Sequence, residues 1–361
     1  MYIVNKNNEL ARIDLFSSKC GDYNALLAGK SGSGKTILVE HIIKDQSISS
    51  GKAFIIEEGG TYKSLCKELG GNYVEFNRFA PVCINPFAFI NFTQMKSVPL
   101  ESIFSVFEEF SHEIVAITDI LVLMIGNEKL DQSDIKMLEM AVIETIKHQS
   151  NKATITTVTE YLSASDNMER AGKMIEWLQP YTSTGEYSAF FEGEYTKIVE
   201  DQLNVFELDG LAASPKLRDI VLCTLIFILN QMMKLEPSKY NICIIEELYS
   251  LFKTSKISPQ FIENSFRLAR LTNGSFISVT EAIDDYSVND TLTSMYKNST
   301  WRLFLKHENL IESSKLLDKE ELQTLQSLDI QLHNFSDLMV THGKDAKAVY
   351  RLNFEKGVVS G

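Results

Sequence analysis

Short apolar runs alternate with amphipathic segments along most of the chain. The runs have the length and composition of buried parallel strands, and they occupy residues 24–28, 53–57, 204–208, 241–247 and 275–281. Most end in a carboxylate or a turn, so each places polar groups at one end of a strand. Helical spacing follows the first run over residues 37–45, and residues 217–233 are apolar nearly all round, as in a helix buried against a sheet. This alternation predicts an α/β fold with a doubly wound, mainly parallel sheet.

The middle of the chain follows a different pattern. From residue 93 to residue 200 helical periodicity dominates and strand signals are few; the helical segments are 101–110, 113–125, 133–149 and 166–178. Strand-like alternation returns later, at 301–305 and 349–354. We therefore predict one α/β domain formed by residues 1–92 and 201–361, interrupted by an all-helical insertion over residues 93–200.

Composition narrows the function classes. The 361 residues include 35 Lys and Arg against 48 Asp and Glu, which gives a formal charge of −13, and 44% of them are hydrophobic. This is too apolar for a disordered protein. The negative charge disfavours a protein that coats nucleic acid or an anionic membrane with its whole surface. A local basic channel for nucleic acid stays compatible with it.

The sequence predicts a cytoplasmic protein without a membrane span. Its longest apolar stretch, residues 114–126, is interrupted by Thr118 and Asp119 and is shorter than the ~20 residues that a bilayer requires. The N-terminus lacks the continuous apolar segment of a signal peptide. The five cysteines are scattered without a C-x-x-C pair, which indicates reduced and buried thiols.

The strongest chemical signal is the segment GKSGSGKT, which matches G-x-x-x-x-G-K-[ST] at every fixed position. It lies between a predicted strand and a predicted helix, as a phosphate-binding loop (P-loop) requires. Backbone N–H groups of its small residues would wrap the α and β phosphates of ATP, Lys35 would reach the β and γ phosphates, and the Thr36 hydroxyl would bind Mg²⁺. The predicted nucleotide-binding residues are Gly29, Ser31, Gly32, Ser33, Gly34, Lys35 and Thr36.

A second chemical signal is the apolar run 242–245, which ends in Glu246 and Glu247. At the carboxyl end of a buried parallel strand, the first carboxylate would orient Mg²⁺ through its waters and the second would polarise the attacking water. The usual pair is Asp then Glu, so Glu246 is longer by one methylene. The alternative is that the two glutamates only begin the next helix, residues 248–252.

Ordered sequence blocks indicate a family. The chain resembles the large conjugation ATPases of type IV secretion systems, the TraC and VirB-four class, which are related to HerA and FtsK motors. The blocks that carry the resemblance are NALLAGKSGSGKT, IIEEGGTYKSLCKELGGNYVEF, CINPFAFI, LQPYTSTGEYSAFFEG, FELDGL, IIEELYSLF and RLARLTNGSFISVTE. They cover nearly the whole chain, and their order and spacing are more specific than any block except the P-loop.

The resemblance implies a RecA-like P-loop ATPase that uses ATP and Mg²⁺. Members of this class work as ring-shaped hexamers at the cytoplasmic base of a secretion channel, where they power pilus assembly or substrate transfer. It therefore also implies a homo-oligomer that is peripheral on the inner membrane through other secretion-system components. Members normally carry an N-terminal domain before the P-loop, and this sequence starts close to the loop, so we expect that domain to be absent.

The resemblance also assigns roles to single residues. Arg270 has the spacing to Glu281 that related ATPases use between an arginine finger and a nucleotide-sensing glutamine, with Arg267 as the substitute finger. Glu247, Arg270, Glu281 and Glu57 are thus the predicted catalytic residues, and Thr36 and Glu246 the predicted metal ligands. The family usually has Asp at Glu57 and at Glu246, and Gln at Glu281. A carboxylate at 281 would repel a γ-phosphate, which favours slow hydrolysis or a role for Glu281 as a base.

Three functions follow from these signals. The first is an ATP-hydrolysing motor of a type IV secretion or conjugation machine. The second is a structural scaffold that binds nucleotide and barely turns it over, which Glu246 and Glu281 favour. The third is a DNA-translocating motor of the same superfamily, which the negative charge opposes.

Overall fold

The computed structural model describes residues 2–5, 9–17, 22–48, 51–79, 82–90, 103–149, 152–193, 196–308, 316–331, 334–343 and 346–354. Over these ranges, twelve strands form one sheet with the order β2-β1-β12-β11-β9-β3-β8-β7-β4-β6-β5, and β10 pairs with β11. The strands are β1 Tyr2–Asn5, β2 Leu10–Arg12, β3 Ala25–Ala28, β4 Ala53–Glu57, β5 Asn72–Glu75, β6 Leu203–Glu207, β7 Asn241–Ile245, β8 Gly274–Thr280, β9 Trp301–Phe304, β10 Ile330–Gln331, β11 Phe335–His342 and β12 Ala346–Asn353.

The strands from β9 to β5 in this order are parallel to one another. They include every apolar run that predicted a buried strand, so the expected α/β fold with a mainly parallel sheet is confirmed. The sheet continues beyond β9 through antiparallel pairs of β9 with β11, β11 with β12, and β12 with β1. Strand β3 lies between β8 and β9, and β7 lies beyond β8.

The helices are α1 Lys35–Ile48, α2 Lys63–Glu68, α3 Ile103–Ile125, α4 Gln132–Gln149, α5 Ile155–Ser163, α6 Met168–Leu178, α7 Ser188–Phe191, α8 Pro215–Leu235, α9 Leu248–Phe252, α10 Pro259–Leu271, α11 Asp290–Lys297 and α12 Lys319–Ser327. Short 3₁₀ turns occupy Pro86–Phe89, Asn127–Lys129, Gln179–Tyr181, Asp209–Leu211 and Ile283–Ser287. The helical segments predicted at 101–110 and 113–125 correspond to the two parts of α3, which meet at a kink at the non-helical residue Phe110 (φ −117°, ψ 23°). Residues 101 and 102 lie outside the described residues.

The sheet is covered on both faces. Side chains alternate along β3, so Leu26 and Ala28 face one core with α8 and the helices of the middle region, while Ala25 and Leu27 face the other core with α1. Helix α8 is buried over most of its length, as its apolar sequence predicts. The central strands are therefore buried between two layers of apolar side chains.

The described part of the chain between Phe89 and β6 contains helices and turns without a strand, which agrees with an inserted helical region. Its predicted first boundary, between residues 92 and 93, lies outside the described residues, so the division into a domain and an insertion stays a prediction. Within the described ranges, no helix is both long and apolar enough to cross a membrane. Cys66, Cys83, Cys223 and Cys243 are buried free thiols; Cys20 lies outside the described residues.

Candidate functional site

The ends of three neighbouring parallel strands bring the predicted chemistry together. The P-loop follows β3, Glu281 follows β8, and Glu246 with Glu247 follows β7. Carboxyl ends of parallel strands share one edge of a sheet, where ligands bind. A cleft of about 480 Å³ lies at this edge. The predicted residues that line it are Ser31, Gly32, Gly34, Lys35, Thr36, Glu246, Glu247 and Glu281.

The P-loop has the backbone that its glycines permit. Gly32 and Gly34 have positive φ angles of +74° and +101°, which residues with a Cβ rarely adopt. A Cβ at Gly34 would also lie 2.9 Å from Cε1 of Phe354, whose ring packs against the loop from the chain beyond β12. Helix α1 begins directly after Gly34, at Lys35. The loop therefore directs the N-terminus of α1 towards the cleft, as phosphate binding requires.

Lys35 is held by its own loop. Its Nζ donates hydrogen bonds to the carbonyl oxygens of Gly29 at 2.7 Å and Lys30 at 3.3 Å. Hydrogen bonds connect the loop to the ends of the neighbouring strands. The Gly29 N–H donates to the carbonyl oxygen of Thr280, the last residue of β8, and the Lys30 N–H donates to the carbonyl oxygen of Lys306, two residues after β9. These bonds keep an ammonium group at the cleft beside the loop amides, where phosphate oxygens would be attracted to it.

Gly29 and Ser33 are not among the residues that line the cleft. Both are buried on the inner side of the loop. Ser33 is fully buried, and its Oγ has no hydrogen-bond partner among the residues that the structure describes. A Cβ at Gly29 would lie 2.7 Å from both Ser33 Oγ and Leu305 Cβ, so only glycine fits this close approach. Their predicted role in nucleotide binding stays a prediction.

Glu246 and Glu247 occupy different environments. Glu246 is only 8% exposed, and its carboxylate accepts a hydrogen bond from the Tyr62 hydroxyl. Burial raises the pKa of Glu246 to about 7, and the neighbouring Glu247 adds to this, while the Tyr62 hydrogen bond and Lys35 oppose it. Glu247 is exposed and has a left-handed backbone (φ 49°, ψ 40°). The pKa of Glu247 is also raised. The main cause is partial burial of its carboxyl group, and the second is the charge of Glu281.

The structure does not bring Glu57 to the cleft. Its side chain is fully buried, and both carboxylate oxygens accept the N–H of Tyr62 at 3.2 Å. Burial raises its pKa to about 7, with the Glu207 carboxylate acting in the same direction. The next residue, Glu58, lines the cleft instead. A catalytic role for Glu57 therefore has no contact in this structure to support it.

Sequence reasoning missed Glu58, Thr61, Ile37 and Phe354, which also line the cleft. Glu58 forms an ion pair with Arg218 at 2.7 Å and accepts the Ser250 hydroxyl at 2.7 Å. The only sequence signal for Glu58 is that it directly follows the acidic end of β4. Phe354 lies far along the chain from the loop that it touches, and no local pattern links the two.

The two candidate arginine fingers lie outside this cleft. Arg270 is exposed in the last turn of α10, and Arg267 is exposed one turn earlier. Arg267 lines a separate cleft between α3, α8 and α10, where its guanidinium lies 3.5 Å from Asn264 Oδ1. Neither arginine is among the residues that line the P-loop cleft of its own chain.

The polar groups at the cleft fit a Mg²⁺–nucleotide. Hydroxyl and carboxylate oxygens, here those of Thr36 and Glu246, are the ligand types that Mg²⁺ prefers. Among the described residues, however, no three His, Cys, Asp or Glu side chains converge closely enough to hold a metal by themselves. This donor set suits a metal that takes most of its ligands from water and phosphate, as Mg²⁺ does in nucleotide sites.

Comparison with known proteins agrees with this geometry. The TraG P-loop domain family matches residues 13–356. Protein TraC of Escherichia coli (strain K12) is 30% identical over 319 residues, which cover 83% of this chain and 34% of that protein. The chain thus spans about a third of the length of this curated relative.

Solved structures show the same fold. The structure of VirB4 of Thermoanaerobacter pseudethanolicus has a TM-score of 0.73 at 16% identity, covering 99% of this chain and 96% of that one. The plasmid coupling protein TrwB in complex with ADP and Mg²⁺ has a TM-score of 0.58 at 10% identity, covering 93% and 86%. The predicted resemblance and the RecA-like P-loop fold are confirmed.

Proposed function

The chain belongs to the TraG P-loop domain family, and we propose that it is an ATP-hydrolysing motor of a type IV secretion or conjugation system. One observation carries the proposal: the P-loop, Lys35 and the carboxylates of Glu246, Glu247 and Glu281 line a single cleft at the ends of adjacent parallel strands. Similarity to TraC supports the biological setting. On this proposal the protein acts at the cytoplasmic side of the inner membrane, docked on other secretion-system components.

The roles follow from position. The amides of the P-loop bind phosphates, and Lys35 exchanges its bonds to Gly29 and Lys30 for phosphate oxygens. Thr36 and Glu246 would hold Mg²⁺, which when bound neutralises charge on the β and γ phosphates. Glu247, exposed to the cleft beside Glu246, orients and polarises the attacking water.

In a ring of identical subunits, most simply a hexamer, the adjacent subunit supplies a further cationic side chain to the cleft. Carboxylates dominate its polar lining, whereas charge on a transferring phosphoryl group needs cationic stabilisation. Arg270 is exposed outside the cleft of its own chain, so we assign it to the site of the adjacent subunit. An arginine supplied in trans can raise turnover by about 10³–10⁵.

Phosphate release from ATP by wild type and by Glu247→Gln tests the proposal. We expect measurable turnover in the wild type, and a loss of at least about a hundredfold in Glu247→Gln, since general-base contributions are about 10²–10⁴. The matched control is Glu176→Gln, the same chemical change at an exposed position of α6, which should keep wild-type turnover. Equal rates near zero in all three proteins would contradict the motor.

Such a result would favour the scaffold, for which the acidic lining of the cleft is the supporting observation. Glu281 lies at the end of β8 beside the P-loop strand, and its charge opposes a bound γ-phosphate. Nucleotide that binds without turnover, and that promotes assembly, is the expected behaviour of a scaffold. Stimulation of ATP hydrolysis by DNA, with a steep loss at higher salt, would instead indicate the DNA motor.

A further inference from the structure

We propose that Tyr62 is a positioning residue that anchors Glu246, so that one carboxylate oxygen is fixed by the Tyr62 hydroxyl and the other is directed to the metal side of the cleft. The inference rests on the proposed Mg²⁺–nucleotide site. Tyr62 itself does not line the cleft, so it acts only through Glu246.

Tyr62 connects the ends of two neighbouring strands. Strands β4 and β7 are paired with Ile56 opposite Ile245, so Glu57 and Glu246 end adjacent strands. The Tyr62 N–H donates to both carboxylate oxygens of Glu57, and the Tyr62 hydroxyl donates to Oε1 of Glu246. The tyrosine is 1% exposed, so water does not compete for these bonds.

The turn before Tyr62 is built to return it to this place. Gly59 and Gly60 have φ angles of +99° and +69°, a left-handed conformation that glycine adopts readily. Their N–H groups donate to the carboxylate of Glu207 at the end of β6. The chain therefore turns back directly after β4, and this turn brings the Tyr62 hydroxyl into hydrogen-bonding contact with Glu246.

This anchor restricts the long side chain at 246. Glutamate has one more rotatable bond than aspartate, and a longer side chain samples more orientations. A hydrogen bond to one oxygen removes that freedom. Groups that orient a metal-binding carboxylate in this way typically contribute about 10–100-fold to metal affinity.

The test is the Mg²⁺ dependence of nucleotide binding, measured by the anisotropy of a fluorescent ADP analogue during Mg²⁺ titration. We expect Tyr62→Phe to raise the half-saturating Mg²⁺ concentration by about tenfold, while binding of the analogue in excess EDTA stays unchanged. Phenylalanine keeps the ring in its buried place, so the loss is confined to one hydroxyl.

Two further variants separate positioning from a general structural effect. Tyr73→Phe removes a hydroxyl that donates to Glu207 at 3.2 Å; it is the same change beside a glutamate that does not line the cleft, and the Mg²⁺ midpoint should not move. In a Glu246→Gln background, Tyr62→Phe should cause no further shift of the Mg²⁺ midpoint. Glutamine supplies no carboxylate to the metal, so its orientation by Tyr62 no longer affects Mg²⁺ affinity.

An unchanged midpoint in Tyr62→Phe, or a shift of equal size with and without the Glu246→Gln change, would overturn the role of Tyr62. A shift of equal size in Tyr73→Phe would do the same. If the wild type itself showed no Mg²⁺-dependent nucleotide binding, the proposed function would fail and this inference with it. A shift confined to Tyr62→Phe in the native background is the supporting result.

Discussion

Replacing Glu246 by glutamine should stabilise the nucleotide-free protein although it removes a group of the candidate site. Glu246 is buried at the end of β7, and burial raises its pKa to about 7 from an ordinary value of 4.5. A carboxyl with a raised pKa in the folded state contributes stability that is fully present below pH 4.5. That stability is lost as the pH rises through 7. At pH 8 the folded protein therefore carries a charged carboxylate that its surroundings disfavour.

The size of the effect follows from the two pKa values. The difference between 4.5 and about 7 corresponds to a cost of about 3 kcal/mol at pH 8 and about half of that at pH 5.5. Glutamine is neutral at both pH values and nearly isosteric, and its amide oxygen still accepts the Tyr62 hydroxyl. We therefore expect Glu246→Gln to raise the free energy of unfolding by about 3 kcal/mol at pH 8 and by about half as much at pH 5.5.

Urea unfolding of wild type and variant, followed by tryptophan fluorescence in EDTA without nucleotide, measures both values. The control is Glu176→Gln, an exposed glutamate whose replacement should change the unfolding free energy by less than about 0.5 kcal/mol at either pH. If Glu246→Gln gave no stabilisation at pH 8, or the same stabilisation at both pH values, the buried and disfavoured charge would be refuted.

Three other changes test the site. Lys35→Ala should abolish binding of a fluorescent ATP analogue with little change in the unfolding midpoint, because Nζ donates its hydrogen bonds to loop carbonyls and does not pack in the core; retained binding would contradict its role. Arg270→Ala should bind nucleotide normally but lose turnover at protein concentrations where rings form, whereas Arg267→Ala should keep it; activity that is independent of concentration and of Arg270 would contradict a shared site. Gly34→Ala should weaken nucleotide binding at least tenfold because of its φ of +101°, and adding Phe354→Ala should not restore it, since removing the ring relieves the contact but not the strained backbone; full restoration, measured by the same binding assay, would show that the contact alone matters.

The sequence is sufficient to predict those parts of the site that are formed by consecutive residues. The P-loop needs only consecutive residues between a strand and a helix, so its residues could be named from spacing alone. Glu246, Glu247 and Glu281 could be placed with it because parallel strands end at one edge, whatever their exact order. The central strands are buried on both faces and therefore read as continuous apolar runs.

Features that depend on register or on distant pairing could not be predicted. Glu57 and Glu58 are consecutive at the end of β4, and successive side chains of a strand point to opposite faces of the sheet. A shift of one residue in the end of the strand therefore decides which of the two faces the cleft. Phe354 reaches the P-loop only because β11 and β12 pair in a particular register. The edge strand β2, with exposed residues at both ends, lacks the apolar run that marks the buried strands.

The position of β3 in the sheet sets an order of events during synthesis. The strand before the P-loop is made before both of its partners, β8 and β9, with Ala25 opposite both Ile277 and Trp301. At translation rates of about 5–20 residues per second, on the order of ten seconds to a minute separates β3 from its first partner. During that time β3, which is fully apolar, has neither of these two partner strands, and such long-range pairing folds slowly. Nascent chains that end before β8 therefore cannot assemble the candidate nucleotide site, and the central sheet is completed only after β8 and β9 have left the ribosome.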